Sequence, residues 1–176
     1  AVKDLEARGM KGLIVDVRDN PGGLLGSVVD ILDFMLPEGK IVYTKDKNGN
    51  ILEEYNSTDK ESFDLPMVVL ANENSASAAE IYTGALKDYK MATIVGKNTF
   101  GKGIVQRLFP LQDGSCVKLT ISKYFTPNGN DIHKVGIAPD VEVELPDELK
   151  KEIEVEKSQD TQLQAAVKNV TKQINK

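Results

Sequence analysis

The chain has 176 residues, 40% of them hydrophobic, with 22 Lys and Arg against 27 Asp and Glu for a net charge of −5. A chain of this length buries roughly two thirds of its unfolded surface without staples, and its acidic balance gives no basic face with which to bind nucleic acid. A single cysteine, Cys116, and a single histidine, His133, exclude an internal disulfide and a His/Cys zinc cluster, and no run of about 18 apolar residues could cross a bilayer as a helix.

In chain order, Ala1–Gly12 reads as the tail of an amphipathic helix, with Val2 and Leu5 on one face and Gly9 ending it. Leu13–Val17 is an apolar strand, Arg18–Gly23 a breaker cluster, and Leu24, Val28, Ile31, Leu32 and Met35 recur at helical spacing. Ile41–Tyr43 and Ile51–Tyr55 flank an Asn48-Gly49 pair and read as a hairpin. Met67–Ala71 is a second apolar strand, Asn72–Ser75 a turn, and Ala76–Tyr89 a helix with Ile81, Ala85 and Leu86 inward. Two strand-loop-helix units in one chain favour a parallel sheet whose loops share an edge.

From residue 91 the pattern is mostly β, through Ala92–Val95, Ile104–Phe109 and Ser115–Ser122, with turns at Thr126–Gly129 and Gly136–Asp140. A charged segment follows Pro146, and Asp160 caps an amphipathic helix carrying Leu163, Ala166, Val167 and Val170. The expected division is a core over residues 1–146 and a charged helical extension over 147–176.

The stretch Gly96–Lys102 has the G-x-x-x-x-G-K spacing of a phosphate loop, but Gly103 stands where Ser or Thr should bind Mg²⁺, and Ile104–Phe109 is β-like rather than helical. His133 follows a turn and Cys116 lies in a strand, where a thiol serves as a small apolar group, so neither points to catalysis. Serine activated by lysine remains. Ser75 and Ser77 both sit among small residues at a strand-to-helix junction; Ser75 reads as a helix cap, and Ser77 falls in the first turn, where free amides can face an oxyanion. Local chemistry leaves the choice between the two serines open. An amine that is to accept a proton near neutral pH needs burial or neighbouring positive charge, and Phe100, Ile104 and Val105 would supply an apolar surround for Lys102. Strand alternation would place Gln106 on the lysine's face.

Asp16–Gly23, Asn74–Ile81 with Gly84–Leu86, Thr99–Gln106, Thr126–Gly129, Gly136–Asp140 and the late Asp160–Ala166 together resemble, in order and over nearly the whole chain, the carboxyl-terminal processing (tail-specific) serine protease family. The resemblance implies an α/β fold with a ClpP/crotonase-like core: a mixed, largely parallel sheet flanked by helices, with a C-terminal helix. It implies Ser77 as nucleophile, Lys102 as general base and Gln106 positioning the lysine. It further implies an oxyanion hole from the Ala78 amide with that of Gly22 or Gly23, and Glu80 supporting the site. No metal or cofactor is expected.

The expected substrates are proteins or peptides with accessible C-termini, and a homo-oligomer is compatible with the pattern. Family members carry an upstream PDZ domain and act outside the bacterial cytoplasm, in the periplasm or cell envelope. Neither that domain, nor an export signal, nor the first strand and helix of the family's core is seen here, so the chain reads as a core fragment. Two other readings compete: a crotonase-like acyl-CoA enzyme, and an inactive fragment that binds peptides or mediates assembly.

Overall fold

The computed structural model describes residues 1–58, 63–152 and 155–175; residues 153 and 154 of the charged segment after Pro146 lie outside them. Apolar runs and alternating runs separate into two sheets. Strands β1 (Leu13–Asp16), β4 (Met67–Ala71), β5 (Ala92–Gly96) and β8 (Val141–Glu142) form a four-stranded sheet in that order, every pair parallel. Strands β2 (Gly39–Lys45), β3 (Ile51–Ser57), β6 (Ile104–Pro110) and β7 (Cys116–Phe125) form an antiparallel sheet in the order β3-β2-β7-β6. The parallel sheet flanked by helices is therefore present, with the antiparallel strands gathered into a sheet of their own.

The centre of the parallel sheet is β4, whose residues are all buried. Its alternate side chains feed two cores, because successive residues of a strand face opposite sides. Met67, Val69 and Ala71 pack with helices α2 (Leu25–Met35) and α3 (Ala78–Asp88), through Leu32, Met35, Ile81, Tyr82 and Leu86. Val68 and Leu70 pack, with Val95, against Ala166 and Val170 of helix α4 (Thr161–Ile174). Helix α4, in the expected C-terminal extension, thus covers one face of the parallel sheet. On the other side of α2 and α3 lies the antiparallel sheet, which contributes Ile41, Val42 and Tyr124 to the larger core. Being enclosed on both sides, α3 is buried continuously from Ala78 to Leu86.

Three helical expectations are revised by exposure, the first being Leu24, which stands as the N-cap of α2 rather than within its stripe and is 77% exposed. Ile31 of α2 and Val167 of α4 are exposed, each on the rim of its apolar stripe. The short opening helix α1 (Val2–Ala7) ends as its glycine predicts: the Met10 amide reaches Leu5 O at 3.0 Å and the Gly9 amide reaches Glu6 O at 2.9 Å, with Gly9 at φ +85°. Cys116 is exposed rather than buried, because it begins β7 at the projecting end of the β6–β7 hairpin.

Candidate active site

Parallel pairing brings the C-terminal ends of β1, β4 and β5 to one edge, where ligands of open α/β sheets bind. The segments that leave it are 17–24, 72–77 and 97–103, which hold Gly22, Gly23, Ser75, Ser77, Phe100 and Lys102. Hydrogen bonds tie the first two segments together. The Asp19 amide donates to Asn72 Oδ1 at 3.0 Å, Asp19 Oδ1 accepts from Asn72 Nδ2 at 3.0 Å and Asn74 Nδ2 at 2.8 Å, and the Ala76 amide donates to Asn20 O at 2.9 Å. The same two asparagines hold the Asp19 carboxyl below its ordinary range, against the opposing effect of partial burial.

Ser75 is not the helix cap. It is fully buried, its hydroxyl donating to Val17 O at 2.7 Å and accepting from the Asn72 amide at 3.0 Å, so it fastens β4's exit to β1's. Ser77 is the cap of α3 and adopts φ +57°, ψ −115°. A non-glycine residue at positive φ costs of order 1–3 kcal/mol and persists only where its surroundings hold it. A strained serine on a strand-to-helix turn is also how hydrolases expose a nucleophile.

What holds it is Glu80, one turn into α3 and completely buried. Its Oε2 accepts from the Ser77 amide at 2.9 Å and the Lys102 amide at 2.7 Å, and its Oε1 from Thr99 Oγ1 and the Gly101 amide, both at 2.6 Å. Four donors fill the lone-pair sites of one carboxylate. The Glu80 side chain thus does not face solvent from α3, and it joins the serine loop to the lysine loop. Thr99 extends the network, its hydroxyl oxygen accepting from the Ile137 amide at 2.7 Å. Gly101 and Gly103 are needed because the loop presses on residues 132–134: a Cβ on Gly103 would stand 2.5 Å from His133 N. His133 is therefore a packing neighbour of the lysine loop, and its Nδ1 is buried without a partner among the described residues.

The oxyanion candidates also separate. The Gly22 amide donates to Asn20 Oδ1 at 2.9 Å and is engaged. The Gly23 and Ala78 amides have no hydrogen-bond partner among the described residues, Ala78 being the first residue of α3, where helix geometry leaves amides unpaired. Gly22, Gly23 and Ala78 border an apolar groove of about 590 Å³, whose walls include Val15, Val17, Leu24, Val28 and Tyr82. A separate polar cleft of about 270 Å³ lies past Asp19 and Asn72, bounded by Lys97, Glu144 and Lys150.

The side chains of Ser77, Lys102 and Gln106 are not joined among the described residues. No hydrogen bond links the Ser77 hydroxyl, the Lys102 amine and the Gln106 amide among the described residues. Lys102 is exposed, and Phe100, expected to enclose it, is 63% exposed, because both lie on the outer side of a loop whose backbone faces Glu80. Gln106 is exposed on β6 and lines a groove of the antiparallel sheet with Thr44, Val105 and Ser122. A register shift between Val105 and Gln106 interrupts the simple alternation from which its shared face with Lys102 was expected.

Sequence reasoning passed over Arg18. Its Nη2 meets Asp16 Oδ2 at 2.7 Å and Asp160 Oδ2 at 2.8 Å, and its Nη1 meets Gln162 Oε1 at 3.0 Å, so it links β1's end to the cap of α4. Its position inside the Asp16–Gly23 motif was the available signal. Among the described residues no group of three or more His, Cys, Asp or Glu is arranged to hold a metal ion, and no helix is long and apolar enough to cross a membrane.

The model of Peptidase family S41 matches residues 1–143. A carboxyl-terminal-processing protease of Synechocystis sp. is 46% identical over 171 residues, covering 97% of this chain and 39% of that protein. A protein of Staphylococcus aureus named "Probable CtpA-like serine protease" is 43% identical over 148 residues, 83% of this chain and 30% of that one. Among solved structures, a photosystem II D1 C-terminal processing protease superposes with a TM-score of 0.77 at 40% identity, over 85% of this chain and 40% of that chain. The chain spans less than half the length of each.

Proposed function

The chain belongs to Peptidase family S41, and from that premise we propose that it forms the catalytic portion of a serine endopeptidase that cuts protein substrates near their C-termini. Ser77 is the nucleophile and Lys102 the general base. The observation that carries this reading is the buried Glu80 carboxylate, which accepts from both the Ser77 and Lys102 amides and so fixes the two loops to one another. The family and its relatives are peptidases, which favours this reading over an acyl-CoA enzyme.

In the reaction, Ser77 Oγ attacks the peptide carbonyl carbon while its proton passes to the neutral Lys102 amine. The oxyanion is held by the Ala78 and Gly23 amides, which are free to donate, rather than by the engaged Gly22 amide. The C–N bond then breaks, the lysine's proton goes to the leaving amine, and an acyl-Ser77 ester remains. Water adds to the ester with Lys102 again taking a proton, and the returning Ser77 alkoxide recovers it as the acid is released. Peptide lying over the exposed Lys102 amine would shield it from water. In the same reading Gln106, which makes no hydrogen bond to Lys102 among the described residues, turns to orient that amine from β6 when peptide binds. The apolar groove beside the two amides suits an apolar side chain on the residue whose carbonyl is attacked.

The relatives' names, which speak of carboxyl-terminal processing, support a substrate with an accessible C-terminus; an upstream PDZ domain and a site of action in the periplasm or cell envelope belong to the same reading through the resemblance of the motifs alone. Its test is Lys102→Ala in a protein carrying the whole family architecture. Cleavage of an unstructured C-terminal peptide should fall by roughly 10³-fold or more while peptide binding persists. Turnover retained in Lys102→Ala would rule out the lysine as base.

A further inference from the structure

The loop that supplies the Gly23 amide is held by a residue to which the mechanism assigns no part. Asn20 grips it through both of its carbonyls. The backbone oxygen accepts from the Ala76 amide at 2.9 Å, next to the nucleophile, and Oδ1 accepts from the Gly22 amide at 2.9 Å. The second bond closes an Asx turn over Pro21, which has no N–H of its own, so Gly22 is the first amide able to close it.

Gly22 is where this matters. It adopts φ +96°, and a Cβ there would stand 2.6 Å from Ala76 O, 2.8 Å from Ala78 N and 2.9 Å from Ser77 Cβ. The backbone of the oxyanion loop is thus packed directly on the turn that carries the nucleophile. A glycine in such a place is free to rotate unless something outside its own side chain restrains it. The Asp19 contacts stop one residue short of Asn20 and run to Asn72 and Asn74, leaving the Asn20 side chain as the restraint nearest the two glycines.

We propose that Asn20 is a positioning residue of the oxyanion hole: by binding the Gly22 amide it withdraws that donor and sets the next peptide unit so that the Gly23 amide stands beside the Ala78 amide. The inference rests on the peptidase reading above. The neutral amide suits the task, since it supplies an acceptor to the loop without placing a negative charge beside a developing oxyanion.

The test is inactivation by a peptidyl diaryl phosphonate, which modifies a nucleophilic serine and leaves a phosphoryl oxygen in the oxyanion site. Wild type, Asn20→Ala, Asn20→Ser and Ser77→Ala are compared in the longer protein. Asn20→Ala should lower the limiting inactivation rate by roughly 10- to 100-fold, somewhat less than deletion of a donor, with the half-saturating phosphonate concentration unchanged. Asn20→Ser, whose hydroxyl can close the same turn more weakly, should recover most of the rate. Thermal unfolding of each variant reports the fold, and a Ser variant that unfolds like wild type yet reacts as slowly as Asn20→Ala would overturn the proposal. A wild-type rate in Asn20→Ala would do the same. Absence of reaction in wild type, matching Ser77→Ala, would instead remove the peptidase reading itself and this inference with it.

Discussion

A carboxylate with no solvent contact is tolerated only where its lone pairs are met, and Glu80 meets donors from Ser77, Thr99, Gly101 and Lys102. Glu80→Gln keeps the shape but turns an NH₂ toward donors that need an acceptor. Leaving such donors unsatisfied costs about 1–3 kcal/mol each, so the variant should lose about 2–4 kcal/mol in urea unfolding, together with most peptide turnover. An unchanged unfolding midpoint would contradict the clamp. The sequence does carry a trace of this role, because Ser77-Ala-Ala-Glu80 is the S-x-x-E spacing of a capping box, and the Glu80 side chain does bond the Ser77 amide. Its other two backbone partners, at Gly101 and Lys102, lie on a distant loop that no local pattern reaches. Ser75 illustrates the opposite limit: its residue type suggests a cap, and only the paired ends of β1 and β4 explain why it is buried between them instead.

Helix α4 was legible as an element from Asp160 and its apolar spacing, and Asp160 Oδ1 does accept from the Leu163 amide at 2.9 Å. What it does for the site was not legible, since Arg18 and Asp160 are brought together by the sheet, 142 positions apart. Burial alone would push the Asp160 carboxyl up. Its hydrogen bonds with Arg18 and the Leu163 amide and the nearby guanidinium charge outweigh that, and hold it below the ordinary aspartate range. A depressed carboxylate contributes stability that is complete above its unfolded value, about 3.9, and is lost as pH falls through the lower folded value. Wild type should therefore exceed Asp160→Asn in thermal midpoint by a constant margin above about pH 5, and the two should converge as pH falls below about 4. A margin that persists unchanged into strong acid would show that the charge of Asp160 is not what docks the helix. The exposed Val167 and Ile31 mark a related limit, because helical spacing locates a stripe but not how far its neighbours cover it.

For the molecule as a whole, the parallel sheet was readable because β1 and β4 are apolar runs each followed by a breaker and a helix, and such units place their loops at one edge. The division into two sheets was less so, since β2, β3, β6 and β7 look alike in residue type and only their pairing separates them from the parallel set. The same applies to the site. Residue types and motif order pointed to Ser77, Lys102 and the glycine amides, while the exposure of Lys102 and Gln106 depends on what covers the lysine loop in three dimensions. The central claim, a serine nucleophile at residue 77 working through an acyl ester, is tested most directly by mapping the acyl group by mass spectrometry after rapid quench of the longer protein with an activated peptide ester. The account predicts one acyl group on Ser77, absent from Ser77→Ala and retained in Ser75→Ala. An adduct on Ser75, or cleavage of the peptide with no acyl-enzyme and undiminished in Ser77→Ala, would contradict it.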